Sequence, residues 1–193
     1  MIALVGENPE KICPHFHLSM QSGSDKILKS MQRRYSSEQF LEKCVKIQSA
    51  LDRVALTTDV IVGFPGESEE DFDQTCRLVE KIGFSKIHIF PFSPREGTIA
   101  ETLPEQIPIS VKTDRAARLA KLGEKLRANY QKKLVGMNLQ VLFESFGKQG
   151  LTGTADRYQK VCVADPERLQ GKLQTVRIIK TEGETLFGNF PFE

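Results

Sequence analysis

Long apolar runs are missing from this 193-residue chain. No stretch approaches the roughly 18 consecutive apolar residues that a membrane-spanning helix needs. Close-set cysteines are missing as well: Cys13, Cys44, Cys76 and Cys162 each stand more than thirty positions from the next. That spacing excludes CxxC zinc knuckles. The opening MIALVGENPEKICP has no basic flank and no small-residue cleavage site, so no secretory signal is expected, and a disulfide framework is not expected either. Excess charge of one sign is also scarce, with 27 Lys and Arg against 25 Asp and Glu. What is present is a folding composition: 39% hydrophobic residues plus 14 glycines, which excludes intrinsic disorder. The length allows one domain or two small ones.

The balanced charge hides an uneven distribution. Residues 111–133 hold eight basic side chains (Lys112, Arg115, Arg118, Lys121, Lys125, Arg127, Lys132 and Lys133) against only Asp114 and Glu124. Leu119, Leu122, Leu126 and Tyr130 recur at three-four spacing, the pattern of an amphipathic helix with a basic outer face. Such a face is often merely solvated. It points to a polyanion only if the neighbouring domain suits one.

This helix joins two unlike architectures. Before it, strands alternate with helices. PHFHLSMQ (14–21) reads as a strand ending at the turn Ser22-Gly23-Ser24, and a helix follows over 25–34. Ser36 with Gln39, and Ser68 with Asp71, make capping-box patterns that open helices over 36–51 and 68–82. VALTTDVIVGF (54–64) and SKIHIFPF (85–92) are further strands, and Pro94, Gly97, Pro104 and Pro108 mark a long loop. Strands separated by helices of this length imply a parallel sheet and an α/β class. After the helix, residues 139–146, 151–155, 160–164, 175–181 and 185–189 are short strands between turns, as in small closed OB-like barrels that hold oligonucleotides. The expected domains are 1–110, a connecting helix 111–135, and a β-barrel 136–193. Three parallel strands leave both sheet edges open, and residues 1–5 resemble the end of a helix, so the chain reads as a fragment.

Candidate chemistry sits where strands end, since ligands of parallel α/β folds bind there. Three places qualify: residues 21–24, residues 58–67, and residues 90–95. Glycines let a ligand approach the backbone, and the amides that open a following helix favour a carboxylate or phosphate. Asp59, in a strand of apolar and hydroxyl residues, needs a polar partner. His15, His17 and His88 alternate with apolar residues and are expected to pack or face solvent rather than ligate metal. Cys44 and Cys76, inside amphipathic helices, read as small buried hydrophobes. Any one of these turns is ordinary when taken alone.

As a set they are specific. HFHLSMQSGSDKILKSMQRRY, TTDVIVGFPGESEEDF and HIFPFSPREGTIA, in this order and spacing, resemble the radical S-adenosylmethionine methylthiotransferases. The subgroup acting on threonylcarbamoyladenosine in tRNA looks closest, through residues 86–93 and 141–144. The terminal barrel resembles the TRAM domain of that family, and the resemblance covers essentially the whole chain. It implies the C-terminal half of a partial (β/α) radical SAM barrel followed by a TRAM barrel. The full-length activity would add a methylthio group to C2 of the modified adenosine beside the anticodon, using S-adenosylmethionine twice and [4Fe-4S] clusters.

By the same resemblance, Gln21, Ser22, Thr58, Asp59, Ile61 and Gly63 would line the adenosylmethionine pocket, with Phe90 and Phe92 near its adenine or the substrate base. Arg95 would meet an RNA phosphate or the carboxylate of the substrate. Arg33 and Arg34 match the family's MxRxY stretch. Lys132, Lys133, Lys148, Arg157, Lys160 and Lys172 would track phosphates of the tRNA anticodon stem-loop, and Tyr158 would stack on a base. The sequence departs from the family pattern in one respect: it has no CxxxCxxC and no other cluster-binding cysteines. Metal ligands are therefore none, the chain alone is expected to be inactive, and the missing N-terminal part of the same polypeptide is an expected partner. A cytoplasmic location without a membrane partner is expected. The competing readings are a non-catalytic RNA-binding fragment, and sister enzymes acting on isopentenyl-adenosine in tRNA or on a ribosomal protein.

Overall fold

The computed structural model describes residues 1–147, 150–164 and 169–191. The order of elements is α1 (Ile2–Glu7), β1 (His15–His17), α2 (Asp25–Ser30), α3 (Ser37–Ala50), β2 (Ala55–Val62), α4 (Glu69–Ile82), β3 (Lys86–Pro91), α5 (Ile99–Thr102) and α6 (Ile109–Leu134), then β4 (Asn138–Gly147), β5 (Gly150–Ala155), β6 (Lys160–Val163), β7 (Leu173–Glu182) and β8 (Thr185–Asn189). Two compact units emerge. One holds residues 17–49 and 56–126; the other holds 1–16, 50–55 and 127–193. The boundaries 1–110, 111–135 and 136–193 follow element type instead.

The three-stranded sheet has the order β1-β2-β3. Strands β2 and β3 run parallel, from Thr57 opposite Lys86 to Val62 opposite Pro91. The β-branched run in β2 is buried throughout except at Asp59 and Ile61, which are half-buried. Being two residues apart, they share one face of the strand. Both capping boxes form. Ser36 and Gln39 exchange backbone and side-chain hydrogen bonds at 3.1 and 3.2 Å ahead of α3, and Ser68 and Asp71 do the same at the start of α4. Gly83, at φ +74, ends α4 in the left-handed conformation, which a residue without Cβ adopts freely.

Three elements depart from the sequence reading. Strand β1 stops at His17 because the following backbone turns to other partners. Leu18 N bonds Thr57 O, Met20 N bonds the Thr58 hydroxyl, and pairing returns only as an isolated bridge between Gln21 and Val60. Helix α2 stops at Ser30 rather than reaching Arg34, since Gln32 takes φ +56 and Arg33 N bonds back to Leu28 O. The long loop after β3 contains the single turn α5.

In the other unit, β4 to β8 close into a barrel of order β4-β5-β6-β8-β7. Alternation does the work. Leu139, Val141 and Phe143 point inward from β4 and join Leu151, Ala155, Val161, Val163, Val176, Ile178 and Leu186, with Tyr130 and Leu134 from the last turns of α6. Register shifts in β4 near Phe143 and in β7 near Ile178 supply the bends that closing so small a sheet requires. Gly153 marks one close approach, where a Cβ would fall 2.1 Å from Leu142 O.

Candidate functional site

The polar end of β2 is built around Asp59. Its Oδ2 accepts from His17 Nε2 at 3.1 Å and from Ser19 Oγ at 3.2 Å. The other ring nitrogen of His17 lies 3.0 Å from Thr57 Oγ1. Burial and the nearby Lys86 depress the pKa of His88, which pairs with Asp59 in register and sets its ring 5.9 Å from that of His17. Gln21 adopts φ +64, with its N–H on Asp59 O and its carbonyl receiving Ile61 N, both at 2.9 Å. The Tyr35 hydroxyl donates to Ser19 O at 2.9 Å and to Met20 O at 3.2 Å, tying the same segment down.

A cavity of about 470 Å³ opens at these strand ends. Of the expected site residues, Gln21, Asp59, Ile61, Phe90, Phe92 and Arg95 line it, together with Pro91, Ser93, Thr98 and Ala100. Ser22, Thr58 and Gly63 take other places. Ser22 is fully buried, with its hydroxyl 3.3 Å from Thr75 Oγ1 and accepting from Ser24 N. Thr58 donates to Leu18 O at 2.6 Å. These hydroxyls satisfy backbone that has left the β-ladder, and that work keeps them out of the cavity.

Gly63 serves as a passage. It sits at φ +72, and a Cβ there would meet Lys112 Cγ at 2.3 Å. The Lys112 side chain crosses that space to donate to Phe92 O at 2.9 Å, with its ammonium 5.2 Å from the centre of the Phe92 ring. One turn further along α6, Arg115 Nη1 bonds both the carbonyl and Oε2 of Glu67, at 3.0 and 2.7 Å. Glu67 Oε2 also receives Gly63 N at 2.7 Å. Burial pushes the Glu67 carboxyl up, against the lowering effect of Gly63 N–H and Arg115. The first turns of α6 thus clamp the ends of β2 and β3, the two walls of the cavity. Lys112 and Arg115 are buried, a correction to the expectation that both lie on a basic outer face.

A second polar cluster supports the turn at 22–24. Asp71 accepts from Ser24 Oγ at 2.7 Å, from Ser68 N and Oγ, and from Lys26 Nζ at 3.0 Å. Burial opposes its charge, but these hydrogen bonds outweigh burial and hold the carboxyl well below the usual range.

The expected RNA-contact residues are treated unequally. Arg157 is spent inside its own unit, on Asp156 Oδ2 at 2.9 Å and on Arg53 O at 3.2 Å. Tyr158, at φ +54 and 41% exposed, stacks on His15 with centroids 4.8 Å apart. Both rings border a cavity of about 400 Å³ with Leu142 and Leu173. Lys132, Lys133, Lys160 and Lys172 are exposed and pair with no carboxylate among the described residues. Lys148 lies outside the described residues. Arg118 and Lys125 are engaged by Glu69, Asp73, Asp114 and Glu80, so much of the basic helix face is already neutralised.

The pattern of the radical SAM superfamily matches residues 2–79. Among curated proteins, the chain is 40% identical over 191 residues to a tRNA-2-methylthio-N(6)-dimethylallyladenosine synthase of Methylacidiphilum infernorum, covering 97% of this chain and 41% of that protein. A like-named protein of Thermoanaerobacter is 41% identical over 182 residues, covering 93% of this chain and 39% of the relative. The threonylcarbamoyladenosine tRNA methylthiotransferase MtaB of Thermotoga maritima is 42% identical over 151 residues, covering 78% and 35%. The chain belongs to the radical SAM methylthiotransferase family. It spans about two fifths of the length of the curated relatives it matches.

A radical SAM family implies adenosylmethionine and an iron–sulfur cluster. The cavity suits the first: it offers a carboxylate, an amide, an aliphatic wall and two aromatic rings within the size range of small-molecule sites. The cysteines do not suit the second. Burial pushes the Cys44 thiol up to about 12 and that of Cys76 to about 11, whereas cluster ligation takes thiolates. Among the described residues, no group of three or more His, Cys, Asp or Glu is placed to hold a metal ion. Sequence reading gave no individual site role to His17, Ser19, Tyr35, Glu67, Lys112 or Arg115, although Glu67 closes the candidate stretch 58–67 and Tyr35 ends the MxRxY match. His17 and Ser19 left a trace only in their two-residue spacing.

Proposed function

We propose that this chain supplies one wall of the reaction site, and an RNA-holding barrel of TRAM type, to a methylthiotransferase that modifies C2 of an adenosine in tRNA. The observation that carries the reading is the convergence of Gln21, Asp59, Ile61, Phe90, Phe92 and Arg95 on one cavity at the ends of parallel strands, in a chain of this family. When bound, adenosylmethionine supplies the methyl group and the one-electron chemistry. The residues of this chain bind and orient. Asp59 and Gln21 offer polar contacts to a nucleoside, Ile61 and Phe90 cover its apolar faces and exclude water, and Arg95 offers a fork of donors to an oxyanion. Ser22, Thr58 and Gly63 act one layer behind, by shaping the backbone that carries these groups. The iron–sulfur cluster is assigned to no residue of this chain, and a cytoplasmic site of action accords with a tRNA substrate.

The proposed substrate is threonylcarbamoyladenosine beside the anticodon. Residues 86–93 and the similarity to the Thermotoga protein of that name support it. The names of the Methylacidiphilum and Thermoanaerobacter relatives favour dimethylallyladenosine instead. Mass analysis of tRNA nucleosides from cells with the gene disrupted separates the two. Loss of the methylthio mark on threonylcarbamoyladenosine is the expected result. Loss on dimethylallyladenosine moves the assignment to the second substrate, and an unchanged profile removes both. For the barrel, tRNA affinity is expected to fall steeply with rising salt, and a salt-independent affinity overturns phosphate tracking by its lysines.

A further inference from the structure

The two oxygens of Asp59, a carboxylate at the strand-end cavity, are used unequally. Oδ2 receives two donors, His17 Nε2 and Ser19 Oγ. Oδ1 has no partner among the described residues, and the side chain, 27% exposed, lines the strand-end cavity. Asp71, by contrast, spends both oxygens within the unit, Oδ1 on Ser24 Oγ and Oδ2 on Ser68 and Lys26. His17 is itself braced, by Thr57 Oγ1 at 3.0 Å on one side and by the His88 ring on the other. Ser19 is braced through its carbonyl, which accepts from Tyr35. A carboxylate held by one oxygen and left open at the other is pre-aimed, so it receives a ligand donor without first being ordered.

We propose that His17 and Ser19 are positioning residues of this cavity: they fix Asp59 by Oδ2 so that Oδ1 accepts a hydroxyl or amino hydrogen from a nucleoside-class ligand. Ile61, two residues on and sharing the face of Asp59, and Phe90 supply the apolar surface beside that acceptor. This inference rests on the nucleoside-pocket reading above and adds to it the residues that act through Asp59 and the atom that meets the ligand.

The test is nucleoside binding by the whole chain, followed by amide chemical-shift perturbation with S-adenosylhomocysteine as the probe. This readout detects weak binding and requires no turnover. Asp59→Asn is expected to raise Kd about tenfold or more, the scale of one hydrogen bond to a charged group. His17→Phe is expected to raise Kd several-fold, and His17→Gln, which retains an N–H donor, to recover most of that loss. Ser19→Ala is expected to give a smaller increase. Thermal midpoints of all four variants are recorded alongside. If His17→Phe binds like the unmodified chain, or if His17→Phe and His17→Gln lose affinity equally, the positioning role is overturned and the pocket reading stands. If the unmodified chain shows no strand-end shifts, the pocket reading fails and this inference fails with it.

Discussion

The two units bury different kinds of atoms. Within residues 17–49 and 56–126, the buried set includes Gln21, Ser22, Ser24, Thr57, Thr58, Glu67, Asp71, Thr75, Ser85, Lys112 and Arg115; in the barrel unit, among the described residues, it includes only Gln131 and Gln159. The barrel is closed by alternating apolar side chains and needs little else. The sheet unit carries irregular backbone at residues 18–24 and 63–67, and side chains satisfy the N–H groups of Met20, Gly23, Ser24 and Gly63 there. Apolar burial is forgiving of detail, whereas a buried polar network holds its members within a few tenths of an ångström. The cavity bordered by Asp59 lies in the unit with the network, where such precision is useful.

This contrast can be broken from either side. The largest effect is expected for Phe143→Ala in the barrel: the side chain is fully buried, and its removal costs ~3–5 kcal/mol. Denaturant titration should register that loss while the strand-end nucleoside shifts persist. Arg115→Met in the sheet unit leaves Glu67 buried without its cation, at a cost of about 3 kcal/mol or more. The double variant Arg115→Met with Glu67→Leu is expected to regain most of the stability but not nucleoside binding, because the clamp on Gly63 is gone. A double variant that binds as before would show that the ion pair matters for stability alone.

The pH dependence sharpens the comparison further. The Asp71 carboxyl is held below its ordinary value, so it contributes stability above an unfolded pKa of about 3.9, and that contribution is lost as pH falls towards the folded value. Urea unfolding at several pH values should show stability dropping below about pH 4. Asp71→Asn, costing about 1.5–3 kcal/mol at neutral pH through its charge-assisted hydrogen bonds, should flatten that slope. Gly63→Ala ranks lower, at about 1–2 kcal/mol, from a left-handed backbone and a clash with a flexible lysine stem. Melting of Gly63→Ala alone and with Lys112→Ala separates the two causes, since only the clash is relieved by the second change. The smallest effect on stability is expected for Lys132→Ala with Lys133→Ala. Their signature is instead a shallower salt dependence of tRNA binding, by about one unit of log–log slope for each phosphate no longer neutralised.

Much of this was legible in the residues themselves. The capping pairs Ser36–Gln39 and Ser68–Asp71 were readable because they are local, and so were the β2 and β3 runs and the five barrel strands. That Asp59, Phe90, Phe92 and Arg95 would gather at one place was readable because the ends of parallel strands lie side by side, and they line one cavity. The early stop of β1 was not, since it depends on a threonine hydroxyl nearly forty positions away replacing a ladder hydrogen bond. Nor was the fate of the basic helix: periodicity shows which residues face a core, but a cation with no partner nearby in sequence looks solvated. Arg115 finds Glu67 forty-eight positions away, and Arg157 is consumed by its neighbour Asp156 and by a carbonyl from a distant loop.

Sequence alone determined the element types, the division into an α/β region and a small barrel, the family, and the three strand ends that border one cavity. These follow from local propensity, hydrophobic period and motif order, each carried by residues close together in the chain. Tertiary structure alone decided which polar groups face the cavity and which are spent on holding the backbone. Only there do His17 and Ser19 meet one oxygen of Asp59, and only there does Lys112 pass through the space left by Gly63. Hydrogen bonds are short-ranged and directional, so their pairing is set by three-dimensional neighbours rather than by order along the chain.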